Sequence, residues 1–128
     1  MRKPMVIAIT LLLGASIWLT APSALAGGQG VIHSGSCSAQ SDWKLKVKPD
    51  NSRLELEFEV DSNVVGQSWR VRITQDGAQI FAGTRTTQGP SGSFELRRRP
   101  ANSAGVDRFV ARATNLSGGE TCVGRISI

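Results

Sequence analysis

Residues 53–61 alternate between apolar and charged side chains, and this alternation restricts the chain to β-structure more than any other feature. Every second position is apolar: Leu54, Leu56, Phe58 and Val60. The positions between them are charged: Arg53, Glu55, Glu57 and Glu59. Successive side chains of a strand point to opposite faces. The segment therefore predicts a strand with one face in a core and the other in water.

Residues 43–48 show the same period, and residues 49–52 (Pro-Asp-Asn-Ser) form a turn signal. We expect the two segments to form a hairpin in which Lys48 pairs with Arg53. That register sets four cross-strand pairs: Trp43 with Phe58, Leu45 with Leu56, Lys46 with Glu55 and Lys44 with Glu57. Apolar pairs and opposite-charge pairs match together in this register, so the lysines and glutamates are interpreted as a solvated ladder.

Five further segments with a period of two follow: residues 68–75, 79–83, 93–97, 107–114 and 120–126. Asp76-Gly77 lies between the first two of them and is a strong hairpin signal. Residues 83–92 and 115–119 are rich in glycine and polar side chains, which is typical of loops. Seven short strands, with no helical period after residue 26, predict an all-β fold, a two-sheet antiparallel β-sandwich.

The first 26 residues have the composition of a secretory signal peptide. Arg2 and Lys3 give a basic start, residues 5–19 are almost entirely apolar, and residues 24–26 (Ala-Leu-Ala) favour cleavage after Ala26. An uncleaved membrane anchor is the alternative, but the apolar run is short for a spanning helix. We expect a secreted, extracellular chain that has no membrane span after cleavage. Its formal net charge falls from +5 to +3 because Arg2 and Lys3 are lost.

Two cysteines, Cys37 and Cys122, lie in the exported part. An even number of cysteines in an exported chain is typical of disulfide bonding. The bond would join the N-terminal segment to the last strand. Residues 27–36 (GGQGVIHSGS) are small, polar and rich in glycine, so they are predicted to be a flexible lead as far as Cys37, and residues 37–128 to be the folded domain. A redox or metal-binding pair is the alternative, but the chain has no C-x-x-C motif and its one histidine is His33.

The sixth predicted strand and the turn after it carry a familiar motif. Residues 109–118 (FVARATNLSG) resemble the Y-x-C-x-A-x-N-x-x-G signature of immunoglobulin domains and the same region of fibronectin type III domains. Trp69 lies at a suitable distance for the buried tryptophan of the third strand, and Leu56 and Ala111 stand where the inter-sheet cystine would lie. The resemblance covers residues 41–126 and implies an immunoglobulin-like sandwich whose disulfide has moved. It implies no particular activity.

The export signal and the general appearance of the chain also resemble small secreted actinobacterial proteins of unknown function, from high-GC Gram-positive bacteria. This resemblance implies a bacterial, extracellular protein and nothing about its ligand.

No group of residues in the sequence supports catalysis. A catalytic nucleophile needs a base on a rigid scaffold, and His33 lies in the predicted flexible lead. Glu55, Glu57 and Glu59 alternate outward opposite lysines in the predicted ladder, and no metal-ligand spacing or cofactor motif occurs. We therefore expect a non-enzymatic protein without catalytic residues, metal or cofactor. A small secreted hydrolase is the least favoured alternative.

In an immunoglobulin-like sandwich the third, sixth and seventh strands share a sheet. Their outward positions would present five arginines with few acids among them: Arg70, Arg72, Arg108, Arg112 and Arg125. Guanidinium groups favour bidentate contact with carboxylate or phosphate. We predict a candidate anion-binding face for a cell-envelope component, such as a wall polymer, a phospholipid or an acidic protein. A solvated arginine face without a partner is the simpler alternative.

Recognition of another protein through loops or strand edges is a second prediction, with residues 83–92 as the candidate loop. Nucleic acid is not an expected partner, because the exported part lacks a dense basic stripe with interleaved aromatic residues. Salt separates the two remaining binding modes. Contact with an anionic surface weakens as ionic strength rises, whereas an apolar or strand-edge contact does not.

Overall fold

Eight β-strands account for most of residues 29–128, the part of the chain that the computed structural model describes. They are β1 (Val31–Ser36), β2 (Asp42–Asp50), β3 (Arg53–Asp61), β4 (Ser68–Gln75), β5 (Ala78–Thr86), β6 (Ser93–Arg98), β7 (Arg108–Asn115) and β8 (Thr121–Ser127). The described residues contain no helix, and hence none of a length and hydropathy that would cross a membrane. The predicted signal peptide and its cleavage site, residues 1–26, lie outside the described residues.

The strands form two antiparallel sheets of four strands each, and the predicted all-β fold is confirmed. The first sheet has the order β1-β2-β3-β6 and the second has the order β5-β4-β7-β8. Alternate residues of both sheets point inward and form one core. Its largest fully buried side chains include Leu56, Phe58, Trp69, Ile73 and Phe109. The apolar residues at every second position therefore form the inner face of each sheet.

Residues 31–36 form β1, where the sequence predicted a flexible lead. β1 pairs with β2 along its whole length, from Val31 opposite Val47 to Ser36 opposite Asp42. Its side chains are mostly exposed and do not alternate in polarity. It is an edge strand that is held by main-chain hydrogen bonds rather than by a buried face. For this reason the fold has eight strands instead of the seven predicted.

The hairpin of β2 and β3 exists as predicted, but the predicted register is wrong by two residues. Asp50, not Lys48, pairs with Arg53 around a two-residue turn. The observed pairs are Trp43 with Val60, Leu45 with Phe58, Lys44 with Glu59 and Lys46 with Glu57. A shift of two residues leaves every side chain on its own face. The alternation alone therefore could not distinguish between the two registers.

Pro49 lies within β2, although the sequence placed it in the turn. It stands opposite Leu54, and the Leu54 N–H donates to the Pro100 carbonyl oxygen instead of to β2. This pair of positions exchanges no main-chain hydrogen bond, so the missing N–H of proline costs nothing here.

Asp76-Gly77 closes the hairpin of β4 and β5, as predicted. Asp76 has φ 50° and Gly77 has φ 83°, the positive values that the favoured two-residue hairpin turn requires. β5 continues to Thr86 because it pairs with β4 as far as Ser68. The predicted loop 83–92 is therefore shorter, and residues 83–86 belong to the strand.

The predicted disulfide between Cys37 and Cys122 is confirmed, and it joins the segment after β1 to β8. Beside it, the Ser38 N–H donates to the Thr121 carbonyl oxygen, and the Thr121 N–H donates to Ser38 Oγ. The bond therefore holds the two sheets together at the edge where β1 lies against β8.

Replacing both cysteines by alanine is expected to lower the free energy of unfolding by about 2–5 kcal/mol, because the bond closes a long loop in the unfolded chain. The two cysteines are 85 residues apart. Urea unfolding of the variant, followed by tryptophan fluorescence, measures the change. The parent protein reduced with dithiothreitol is the control and should unfold at the same lowered midpoint. Unchanged midpoints in both would contradict a stabilising role.

A glycine in β8 makes room for Trp43, which packs across the interior from β2. A Cβ atom at Gly124 would lie 2.8 Å from Cζ3 of Trp43 and 3.3 Å from Cβ of Leu45. The first of these distances is shorter than van der Waals contact, so only glycine fits without movement of the indole ring.

The substitution Gly124→Val is expected to lower the free energy of unfolding by about 1–3 kcal/mol through overpacking. Gly118→Val is the matched control, since a Cβ at Gly118 meets nothing within 4 Å. Urea unfolding of both variants tests the packing, and equal midpoints for the two would show that Trp43 does not restrict position 124.

Candidate functional site

The strands predicted to share the arginine-bearing sheet do share it. β4, β7 and β8, which are the third, sixth and seventh predicted strands, are neighbours in the second sheet. Their outward positions present the five predicted arginines, all of them exposed: Arg70, Arg72, Arg108, Arg112 and Arg125. We name this outer surface of the second sheet the arginine face.

Arg112 lies at the centre of the arginine face. It is directly opposite Arg72 on β4, and the register makes Arg70 a diagonal neighbour. On β8 its diagonal neighbour is Arg125, which is in turn diagonal to Arg108. Opposite Cβ atoms lie about 4.5–5.5 Å apart and diagonal neighbours about 7–8 Å apart in antiparallel sheets. The five arginine positions are therefore contiguous on the outer surface of the sheet.

Acidic residues are distributed unequally between the two sheets. The four strands of the second sheet contain no aspartate or glutamate. The strands of the first sheet contain most of the acids of the chain: Asp42, Asp50, Glu55, Glu57, Glu59, Asp61 and Glu95. The sequence predicted few acids within β4, β7 and β8, and the extension of this pattern to the whole sheet follows from the strand order.

The remaining acids, Asp76, Asp107 and Glu120, lie in the connections between strands and hold the backbone. Asp76 Oδ1 accepts a hydrogen bond from the backbone N–H of Arg108 at 2.9 Å. Asp107 and Glu120 likewise accept hydrogen bonds from backbone N–H groups of loop residues. Within the described residues these carboxylates therefore stabilise loop geometry and form no ion pair with the arginine face.

In the described part of the chain, no carboxylate oxygen lies within 4 Å of an arginine-face guanidinium. The one side-chain hydrogen bond from this group joins Arg72 Nε to Oε1 of Gln79 at 3.0 Å. Threonine hydroxyls stand between the arginines, at Thr74 and Thr114 among others. The surface therefore offers many hydrogen-bond donors and a high positive charge, which suits an anionic ligand.

The outer face of the first sheet has the opposite character, because its charges offset each other. Lys48 Nζ lies 3.4 Å from Glu55, and Arg97 Nε lies 2.7 Å from Glu95. The hydrogen bond to Glu95 is the main cause that raises the pKa of Arg97. The predicted lysine–glutamate ladder is thus present, with the partners that the shifted register brings together.

His33 lies on β1 rather than in a flexible lead. Its Nδ1 donates a hydrogen bond to the Arg125 carbonyl oxygen at 2.7 Å, since a carbonyl oxygen can only accept. The ring therefore helps to join β1 to β8. Across the described residues, no three side chains among His, Cys, Asp and Glu are grouped so that they could hold a metal ion.

A second group of arginines was not predicted as a site. Arg53, Arg98 and Arg99 line a cavity of about 350 Å³ at one end of the sandwich. The run of residues 97–99 was visible in the sequence. The proximity of Arg53 to this run was not visible in the sequence, because only the pairing of β3 with β6 brings the two segments together.

No protein-family model, curated protein or solved structure matches this chain.

The substitution Arg112→Gln is expected to raise the free energy of unfolding by about 0.2–1 kcal/mol at low salt, because it removes a like charge directly opposite Arg72. The gain should shrink as salt screens the repulsion. Lys48→Gln is the control, since it removes a charge that is paired with Glu55 and should give no gain. Urea unfolding at two salt concentrations measures both effects. A loss of stability in Arg112→Gln would contradict the repulsion.

Proposed function

We propose that this protein is an exported, non-enzymatic binding module whose arginine face binds an anionic polymer of the cell envelope. The observation that carries the proposal is the separation of charge between the sheets. The strands of the second sheet hold five outward arginines and no acid, while those of the first sheet hold most of the acids. A surface that served solubility alone would gain more from mixed charges.

The spacing of the arginines supports a polymeric ligand over a single small anion. Neighbouring strands lie about 4.8 Å apart, and alternate residues of one strand lie about 6.6–6.8 Å apart. Arg70 and Arg72 follow the second spacing along β4, and Arg72 and Arg112 follow the first across the sheet. A chain with repeated phosphate or carboxylate groups can contact several guanidinium groups at once, so that weak contacts add up.

The disulfide and the chain's N-terminal segment support export. A disulfide that joins distant segments is typical of proteins from oxidising compartments, and residues 1–26 have the composition of a signal peptide. In this proposal cleavage after Ala26 releases a bacterial extracellular protein. A basic face would then meet the anionic polymers of the envelope from outside the cell.

An immunoglobulin-like relationship is part of the same proposal. Trp69 on β4 is fully buried, as the third-strand tryptophan of that fold is. Asn115 Oδ1 accepts hydrogen bonds from the N–H groups of Ser117 and Gly118, which gives a structural role to the asparagine of the motif. Such sandwiches bind ligands through strand faces, strand edges or loops, and this binding needs no catalytic pocket.

A second candidate function is protein recognition at one end of the sandwich. Three exposed apolar side chains lie there, in the connection between β3 and β4 and in the turn after β7: Val64 at 50% exposure, Val65 at 58% and Leu116 at 48%. The Leu116 N–H donates to the Ser68 carbonyl oxygen, which brings the two segments together. Contact with a partner here would be apolar and insensitive to salt.

The combined variant Arg70→Ser, Arg72→Ser and Arg112→Ser is expected to lose retention on the envelope fraction of the host by about tenfold or more at low salt, because charged contacts dominate such binding. The matched control carries Lys44→Ser, Lys46→Ser and Lys48→Ser, which removes the same charge from the first sheet. A pull-down at about 50 mM and about 500 mM salt measures retention, and the parent should be released at the higher concentration.

Unchanged retention of the arginine variant would contradict the proposal, and so would an equal loss in the lysine control. If retention of the parent does not change with salt concentration, binding through the apolar end of the sandwich would be favoured instead.

A further inference from the structure

A groove at one end of the sandwich collects three arginines that do not belong to the arginine face. Arg53 begins β3, Arg98 ends β6, and Arg99 follows it. The groove has a volume of about 350 Å³, and Ile80 and Pro100 form the apolar part of its wall. We name this concavity the arginine groove.

Contacts within the fold hold the three guanidinium groups in place. Arg53 donates from Nε and Nη2 to the Arg99 carbonyl oxygen, at 2.9 and 2.6 Å. Arg99 Nε lies 3.0 Å from Asp50 Oδ2. The Arg98 guanidinium lies 4.4 Å from the centre of the Phe81 ring, which belongs to the other sheet. A ligand would therefore meet donors that are already ordered, and it would lose less side-chain entropy on binding.

The positive charge of the arginine groove exceeds the negative charge beside it. Arg53, Arg98 and Arg99 contribute three positive charges and Asp50 contributes one negative charge, which leaves a net charge of about +2. The Asp50 carboxylate forms its ion pair with Arg99. In the part of the chain that the structure describes, no carboxylate oxygen lies within 4 Å of Arg53 or Arg98.

Nearby carboxylates are engaged elsewhere. An adjoining cavity of about 330 Å³ shares Arg98 and Arg99 with the groove and also includes Glu55 and Arg97. Glu55 pairs with a lysine of β2 at 3.4 Å, and Arg97 pairs with carboxylates on both sides of it. Between these two adjoining cavities, the excess positive charge therefore lies in the arginine groove.

We propose that the arginine groove binds a small phosphomonoester, with its phosphate on Arg53 and Arg98 and its organic part on Ile80 and Pro100. A phosphomonoester carries a charge of about −1.5 to −2 near pH 7, which matches the net charge of the groove. A carboxylate would leave about half of that charge unmatched. Each guanidinium has five N–H donors, and Arg53 uses two of them within the fold, so donors remain for phosphate oxygens.

The apolar wall distinguishes an ester from free phosphate. Inorganic phosphate would satisfy the arginines but would leave Ile80 and Pro100 uncovered. A cavity of this size also lies at the lower end of the range for small-molecule sites. This site is separate from the arginine face, so either proposal can fail without the other.

Titration of the purified protein with phenyl phosphate, followed by amide shifts in ¹H–¹⁵N spectra, tests the groove. The backbone amides of Arg53, Arg98, Arg99 and Ala101 should shift and saturate. Inorganic phosphate should shift the same amides with an affinity about tenfold lower, because an apolar contact of 1–2 kcal/mol is lost. Sodium chloride at equal ionic strength should not shift them in a saturable manner.

The combined variant Arg53→Gln and Arg98→Gln should weaken phenyl phosphate binding by about tenfold or more, since two charged hydrogen-bond donors are removed. Arg70→Gln with Arg112→Gln is the matched control, which removes the same charge from the arginine face and should bind as the parent does. Arg98→Lys keeps the charge and much of the side chain over Phe81 but loses the planar fork, so it should bind weakly while remaining folded by its spectrum.

Three results would overturn the proposal: equal weakening in both double variants, parent-like binding by Arg98→Lys, or saturable shifts with chloride. Equal affinity for phenyl phosphate and inorganic phosphate would overturn the ester and leave free phosphate as the occupant.

Discussion

The structure depends on burying one side of each sheet against the other. Leu56, Phe58, Trp69, Val71 and Ile73 reach zero exposure because the two inner faces cover each other completely. The apolar inner face of each sheet is removed from water only by packing against the other sheet, so each sheet depends on the other for its stability. The covalent bond between Cys37 and Cys122 then holds the two sheets together at one edge. The outward side chains of both sheets take no part in this core, so charged residues can occupy those positions.

That freedom is used differently by the two sheets. On the first sheet the outward positions of β2 and β3 carry opposite charges that face each other, as Lys44 and Glu59 do. On the second sheet Arg72 stands opposite Arg112, an arrangement that is unfavourable by itself. Stability of the fold therefore does not account for the arginine face, which is why we propose a ligand of opposite charge for it. Arg53 and Arg98 are comparable, because no carboxylate oxygen of the described residues lies within 4 Å of either guanidinium.

The edge strands decide where further sites arise. At one edge, β1 and β8 are joined by the disulfide and by the hydrogen bond from His33 to Arg125. At the other edge, β5 and β6 meet less closely, and Phe81 of β5 is covered by guanidinium groups, Arg98 of β6 among them. The arginine groove opens beside this looser edge. Arginine side chains that cover the edge of a core with their aliphatic stems keep their charged ends in water, so these positions serve packing and still expose guanidinium groups.

The alternation in residues 43–61 by itself determined β2, β3 and their inward faces, and the same period in five further segments determined the all-β class, because side chains of a strand alternate between its two faces. The single pair of cysteines determined the disulfide. Only the tertiary structure decided the register of β2 against β3, since a shift of two residues leaves the pattern unchanged. It alone revealed β1, whose pairing is made by main-chain atoms that every residue shares. It also brought Arg53 and Arg98 to the lining of one cavity, because contacts between distant segments follow from strand order and not from local pattern.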